Sequence, residues 1–240
     1  NDDFPFYNGQ PSKVSGLKWC ALMLMVAVGF SSLFIPLPFF ASQIGQSSPA
    51  ILLFAIPLLA LNYIAPGQGK TLVRKTRKVD YGWMIVFAVL NLVITVIVAN
   101  LLTDILGAST NQAIEGLATL TTVDQVLFFI KAAFQLLGEE VITMLPFLAL
   151  LWFSTSRMGL SRKSAIIIAW FGSALMFGLI HLSSYDWNLL QCILIIGTAR
   201  LVLTIPYILT KNLWVSTGAH ILNDYMIFGI SLLAISHAAG

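Results

Sequence analysis

Two glutamates, Glu139 and Glu140, stand side by side in FQLLGEEVITMLPF (residues 134–147), a stretch otherwise free of charge. Further along, Phe177 and His181 frame an F-x-x-x-H, and His220, Asn223 and Asp224 fall within little more than one helical turn. Carboxylates and imidazoles are the usual proton carriers of hydrolytic chemistry. One carboxylate and two imidazoles converging on a water are enough to cleave an amide. The carboxylate acts as general base, one imidazole helps orient the water, and a second, with Asn or Asp, holds the carbonyl and its oxyanion. The same groups could instead hold a divalent metal, zinc above all, through Glu139, His181 and His220. Neither H-E-x-x-H nor G-x-S-x-G occurs in the chain.

Helical periodicity sorts these residues. Lys131, Gln135 and Glu139 recur every four residues and form one polar stripe, while Glu140 lies about 100° round from Glu139. His220 and Asp224 share a face, with Asn223 beside them. Counting the rise per residue puts Glu139, Glu140 and Asp224 at similar depth, with His220 and His181 displaced toward opposite sides. Convergence therefore requires tilted helices or a shifted start for the helix that carries His181.

The elements that must position them are membrane spans. Of 240 residues, 58% are hydrophobic and 10% charged, well below the roughly 25% charge of soluble domains. Seven apolar runs predict helices over about 17–40, 49–65, 81–106, 125–153, 164–183, 188–210 and 212–236, an all-α polytopic membrane protein of six to eight spans. Pro49 and Pro57 leave the second as a full span or half of a re-entrant hairpin. Long apolar blocks without alternation exclude a β-barrel. Residues 1–16 read as a polar cytoplasmic segment rather than a secretory signal, 17–123 as N-terminal membrane helices and 124–236 as the catalytic core. Cys20 and Cys192 lie within apolar runs and read as reduced packing residues.

Basic residues set the orientation. Lys13, Lys18, Lys70, Arg74, Lys75, Arg77, Lys78, Arg157, Arg162, Lys163 and Lys211 all fall on one side of a seven-span arrangement, whereas 41–48, 107–124 and 184–187 contain neither Lys nor Arg. This predicts a cytoplasmic N-terminus and an external C-terminus in a cell membrane. Lys131 and Arg200 stay within predicted spans, where an ionised side chain costs about 2.5–3.5 kcal/mol on insertion scales. Trp83, Trp152, Trp187 and Trp214 fall near span ends, as interfacial anchors do, and His237 reads as an interfacial bystander.

Three short motifs, in order and each within a predicted span, give the chain a likeness. EEVITM (Glu139 to Met144), FGLIH (Phe177 to His181) and HILND (His220 to Asp224) resemble the E-E-x-x-x-R, F-x-x-x-H and H-x-x-x-N/D motifs of the CPBP family of intramembrane proteases. That family comprises CAAX prenyl endopeptidases, bacteriocin-processing proteins and Abi proteins. The resemblance covers about 124–236. It implies an intramembrane endopeptidase in which Glu139 activates water with help from His181, while His220 and Asp224 hold the carbonyl and its oxyanion. Glu140, Phe177, Arg200 and Asn223 support them. It implies no cofactor, although metal dependence is a common label in the family. Implied partners are membrane lipids and peptide or membrane-protein substrates, including leader and pheromone peptides, and no nucleic acid. A bacterial origin fits the compact core and the charge pattern. The alternative is a non-catalytic Abi-type scaffold or bacteriocin-immunity protein bound to a membrane or cell-wall protein.

The likeness breaks at one position: Met144 stands where the motif has arginine. A buried Glu140 without a cation would be costly. Arg200 is expected to pair with it from another helix, with Lys131 as the competing partner.

Overall fold

In a bilayer each backbone N–H and C=O must be satisfied within its own segment, so long apolar runs become helices. The computed structural model describes residues 3–42, 44–107, 109, 111–117 and 119–238 and is all-helical over them. The long helices are α1 (Gly16–Ser31), α2 (Ser47–Ile64), α3 (Lys78–Leu106), α5 (Thr122–Ser156), α6 (Arg162–Ile180), α7 (Leu189–Thr210) and α8 (Leu213–Ala238). A short α4 (Gln112–Leu117) precedes α5. Among the described residues, six helices, α1, α2, α3, α5, α6 and α7, are long and apolar enough to cross a membrane. The chain is a multi-pass membrane protein. α8 has 26 residues, ample length for a span, but it carries His220, Asn223 and Asp224 and is not among those six. The side chain of His237 lies outside the described residues.

Local signals fix the starts of the helices that matter. The Thr121 hydroxyl accepts from the Asp124 amide at 3.2 Å and opens α5, and the Ser161 hydroxyl accepts from the Ser164 amide at 3.2 Å and opens α6. α2 is an unbroken helix through Pro57, so the second apolar run forms a complete helix. α7 contains a π-helical turn, Cys192–Ile196, just after its start.

The hub is α5, which packs against α1, α2, α6 and α8, while α3 packs on α7 and α8. Every residue from 138 to 148 is buried. Two glycines allow the closest approaches beside the glutamates and the first histidine. A Cβ on Gly138 would lie 2.6 Å from the Leu53 side chain, and one on Gly178 would lie 2.4 Å from the Cys192 carbonyl oxygen.

The segment before α1 is not simply polar. Phe4 and Phe6 are fully buried at the end of the bundle that carries the basic residues. Phe4 packs on Phe147 and Tyr207, with ring centroids 5.4 and 5.9 Å away, and the Arg162 and Lys211 cations lie over its face. Asp3 pairs with Arg162 at 2.5 Å and accepts from the Tyr7 hydroxyl at 2.6 Å. Partial burial pushes the Asp3 carboxyl upward, but its bonds from Arg162, Tyr7 and the Phe4 amide outweigh this and hold it at about 2.

Two outcomes follow. Gly178→Ala should lower the melting temperature in detergent, because its methyl meets backbone rather than a yielding side chain; the cost should be about 1–3 kcal/mol. The contribution of Asp3 should be fully present above about pH 4 and fade as pH falls toward 2, because its folded pKa lies below the unfolded one. Hydrogen exchange of residues 3–15 should accelerate over that window in the native chain, and Asp3→Asn should remove the pH dependence.

Candidate active site

The adjacent glutamates face different neighbours. Glu140 is fully buried, and its Oε1 lies 2.5 Å from Nη1 of Arg200, which is equally buried, on α7. Arg200 Nε donates to the Thr204 hydroxyl at 3.1 Å, and its guanidinium stands over the Phe177 ring, 5.0 Å from the centroid. The pair expected from the sequence is thus present, and it supplies from another helix the cation that Met144 cannot. Met144 itself is fully buried in the apolar core. Lys131 does not compete: its Nζ donates to Gln46 Oε1 at 2.9 Å.

Glu140 also fixes a histidine. His220 Nδ1 lies 3.0 Å from Glu140 Oε1. A carboxylate only accepts, so Nδ1 carries the proton of this bond. The other nitrogen, Nε2, is turned toward Glu139 Oε2 at 3.9 Å and Asp224 Oδ1 at 3.7 Å. His181 is held in the same sense: its Nδ1 lies 2.8 Å from the Phe177 carbonyl, which can only accept, and its Nε2 is 3.9 Å from Glu139 Oε2. One carboxylate oxygen therefore looks at two imidazole nitrogens, each oriented by a bond at the far side of its ring. The second Glu139 oxygen accepts from Gln135 Nε2 at 3.1 Å.

The depth mismatch between His181 and the rest is resolved at the end of α6. The helix stops at Ile180, with His181 as its cap, and a 3-10 turn, Leu182–Tyr185, follows. His181 thus reaches the site from a helix end rather than from within a longer span. Phe177, one turn earlier, packs on both histidines, with centroids 4.4 Å from His181 and 6.1 Å from His220. With the guanidinium over its face, this one ring supports three functional groups.

Asp224 accepts from Asn223 Nδ2 at 2.8 Å, and Asn223 Oδ1 accepts from Asn91 Nδ2 on α3 at 3.0 Å. Asn91 was not singled out in the sequence. Its signal was an amide isolated in the apolar run of α3, where it is buried. Tyr185, likewise missed, lines the same chamber and accepts from Asn111 Nδ2 at 3.0 Å. Burial pushes its phenol up to about 12, so it keeps its proton at neutral pH.

Two cavities meet here. A chamber of about 220 Å³ is lined by Asn91, Arg200, His220, Asn223, Asp224 and Tyr185 together with apolar side chains such as Phe128, Leu136 and Phe177, and a groove of about 620 Å³ opens between the α1–α2 connection and α5. Lys131, Gln135, Glu139, His181 and Ser184 line both. For a metal held by Glu139, His181 and His220, tetrahedral ligand atoms at about 2.0–2.2 Å from the ion would stand about 3.4 Å apart. The carboxylate–imidazole distances are 3.9 Å, and among the described residues no group of three His, Cys, Asp or Glu side chains is set to hold an ion.

Residues 121–226 match the family described as type II CAAX prenyl endopeptidase Rce1-like. Over that stretch the chain is similar to this family. It is a grouping of CAAX-type proteases, consistent with the wider CPBP family, and the matched region contains Glu139, Glu140, His181, Arg200, His220 and Asp224. Neither the curated proteins nor the solved structures gave a match.

The buried pair can be tested by a double-mutant cycle. Arg200→Met alone leaves Glu140 without its cation and should cost about 3–5 kcal/mol. Arg200→Met with Glu140→Gln should cost clearly less than the sum of the single changes. Chemical denaturation in micelles measures all three.

Proposed function

We propose that the protein is an intramembrane endopeptidase in which Glu139 activates water for attack on a peptide bond. The observation that carries this reading is the carboxylate oxygen of Glu139 facing His181 Nε2 and His220 Nε2 at 3.9 Å each. A water placed among these atoms can give its proton to Glu139 and direct a lone pair at a carbonyl carbon. His181, donating at Nδ1, presents Nε2 to orient that water. In its protonated form His220 donates from Nε2 to the developing oxyanion, while Glu140 fixes its other nitrogen and Asp224 its orientation. Glu139 then passes its proton to the leaving amine as the tetrahedral intermediate collapses. The reaction so written needs no metal.

The groove flanked by apolar side chains favours substrates that arrive through the membrane, such as membrane-associated, leader or pheromone peptides. The basic residues favour a cell-membrane location with a cytoplasmic N-terminus and an external C-terminus. The scaffold reading drew its force from the missing motif arginine. The Arg200–Glu140 contact removes that ground by restoring the charge balance from α7.

The test is proteolysis by the purified chain in detergent or liposomes against membrane-anchored reporter peptides. Glu139→Gln should lower turnover by about 10²–10⁴-fold with an unchanged melting temperature, and exhaustive chelation should leave the native activity intact. Undiminished cleavage by Glu139→Gln would remove this mechanism, and loss of activity on chelation with rescue by zinc would replace it with a metal-dependent one.

A further inference from the structure

The turn after His181 is strained and firmly held. Asp186 and Trp187 adopt left-handed backbone, at φ 50° and 60°, a conformation that a bulky side chain such as tryptophan rarely takes. Such strain persists only where the surroundings over-determine it, and it gathers at functional sites. Here bonds on either side enforce it. The Trp187 amide donates to the Leu182 carbonyl at 2.8 Å, and Asn188 Nδ2 donates to the carbonyls of Leu106 and Gly107 at 2.9 and 3.3 Å. Gln191 grips Ser109 through both of its side-chain amide atoms, at 2.9 and 2.8 Å. What the turn presents is Tyr185, which lines the chamber together with Glu139, His181, His220 and Asp224. Its phenol oxygen accepts from Asn111 Nδ2 at 3.0 Å. A hydroxyl held as an acceptor still has its own proton to give, and among the described residues no acceptor receives it.

We infer that Tyr185 is a further catalytic residue, whose hydroxyl gives the oxyanion a second hydrogen bond beside that of His220 Nε2. The inference rests on the endopeptidase reading. A carbonyl oxygen gains charge as its carbon turns tetrahedral, and a donor fixed in advance where that charge develops favours the transition state over the ground state. Other donors in the chamber are already engaged: Gln135 Nε2 with Glu139, Asn223 Nδ2 with Asp224, and Arg200 Nη1 and Nε with Glu140 and Thr204. The water oxygen bonds to the carbonyl carbon, the carbonyl π pair moves onto its oxygen, and Glu139 takes the water proton. Tyr185 donates a hydrogen bond throughout and never parts with its own proton. Burial keeps the phenol protonated, and the neighbouring Asp224, Cys192 and Glu139 groups act in the same direction against the bond from Asn111.

The experiment uses the full chain in detergent micelles and a membrane-anchored reporter peptide whose cleaved bond is located by mass spectrometry. Tyr185→Phe, which removes one oxygen atom, should lower kcat by about 10²–10³-fold, with KM within about twofold of native and the melting temperature unchanged. A peptide with a phosphinate in place of the cleaved bond mimics the tetrahedral oxyanion. Its affinity should fall by the same factor as kcat/KM, whereas the intact peptide should bind Glu139→Gln with and without Tyr185→Phe alike. A purely structural role would instead move the melting temperature and the binding of the intact peptide. Tyr185→3,5-difluorotyrosine keeps the shape and the hydroxyl but ionises at lower pH, and it decides the matter should Tyr185→Phe melt early. Relative to the native chain, its kcat should fall as pH rises through that ionisation, because a phenolate cannot donate. Native-like kcat in Tyr185→Phe, a loss confined to KM, phosphinate binding indifferent to the hydroxyl, or a difluorotyrosine profile parallel to the native one would overturn the inference and leave the endopeptidase reading standing. A native chain that cleaves no reporter peptide would overturn both.

Discussion

The site is built on one buried ion pair. Arg200 and Glu140 are both fully buried and touch at 2.5 Å. Withdrawing two charges from water costs several kcal/mol per ion, which only close geometry and further bonds offset. Those further bonds reach other helices. Glu140, on α5, receives the His220 imidazole of α8, and Arg200, on α7, covers the Phe177 ring of α6. A single electrostatic contact thereby ties together four helices, the three that carry the motif residues and α7. Were the pair absent, His220 would lose the bond that sets its tautomer and Phe177 the cation on its face.

The pair also explains why two identical side chains in sequence behave differently. A step of one residue turns a side chain by about 100°, enough to send Glu140 inward to Arg200 and leave Glu139 at the junction of two cavities. The first glutamate lies on the walls of both cavities, while the second is committed to the ion pair. Gln135 reinforces this division by holding one Glu139 oxygen and leaving the other to the histidines.

Much of this was legible before any coordinates. The apolar blocks gave helices whose ends agree within about three residues with those observed, because backbone satisfaction in lipid leaves few alternatives; the exception is the first, expected to run to 40, which stops at Ser31 ahead of Pro36 and Pro38. The i, i+4 spacing of His220 and Asp224 and the stranded cation at Arg200 pointed to their contacts, since an unpaired charge within a membrane demands a partner. What escaped depended on tertiary placement. Nothing in a polar opening segment announces that Phe4 and Phe6 will be drawn beneath α5. The end of α6 at Ile180, which brings His181 into place, is not marked by glycine or proline at that point. Asn91 and Tyr185 became site residues only when α3 and the turn after α6 were brought against α8.

The meeting of a large groove with a small chamber at one carboxylate has a pharmacological consequence. A compact, water-loving molecule would meet the polar groups of the chamber but leave the groove empty, and a purely oily one would fill the groove without pairing those polar groups. A tight ligand should be amphiphilic, with a tail that partitions from the bilayer and a polar head at its tip. Its potency should then follow its concentration in the membrane rather than in the surrounding water.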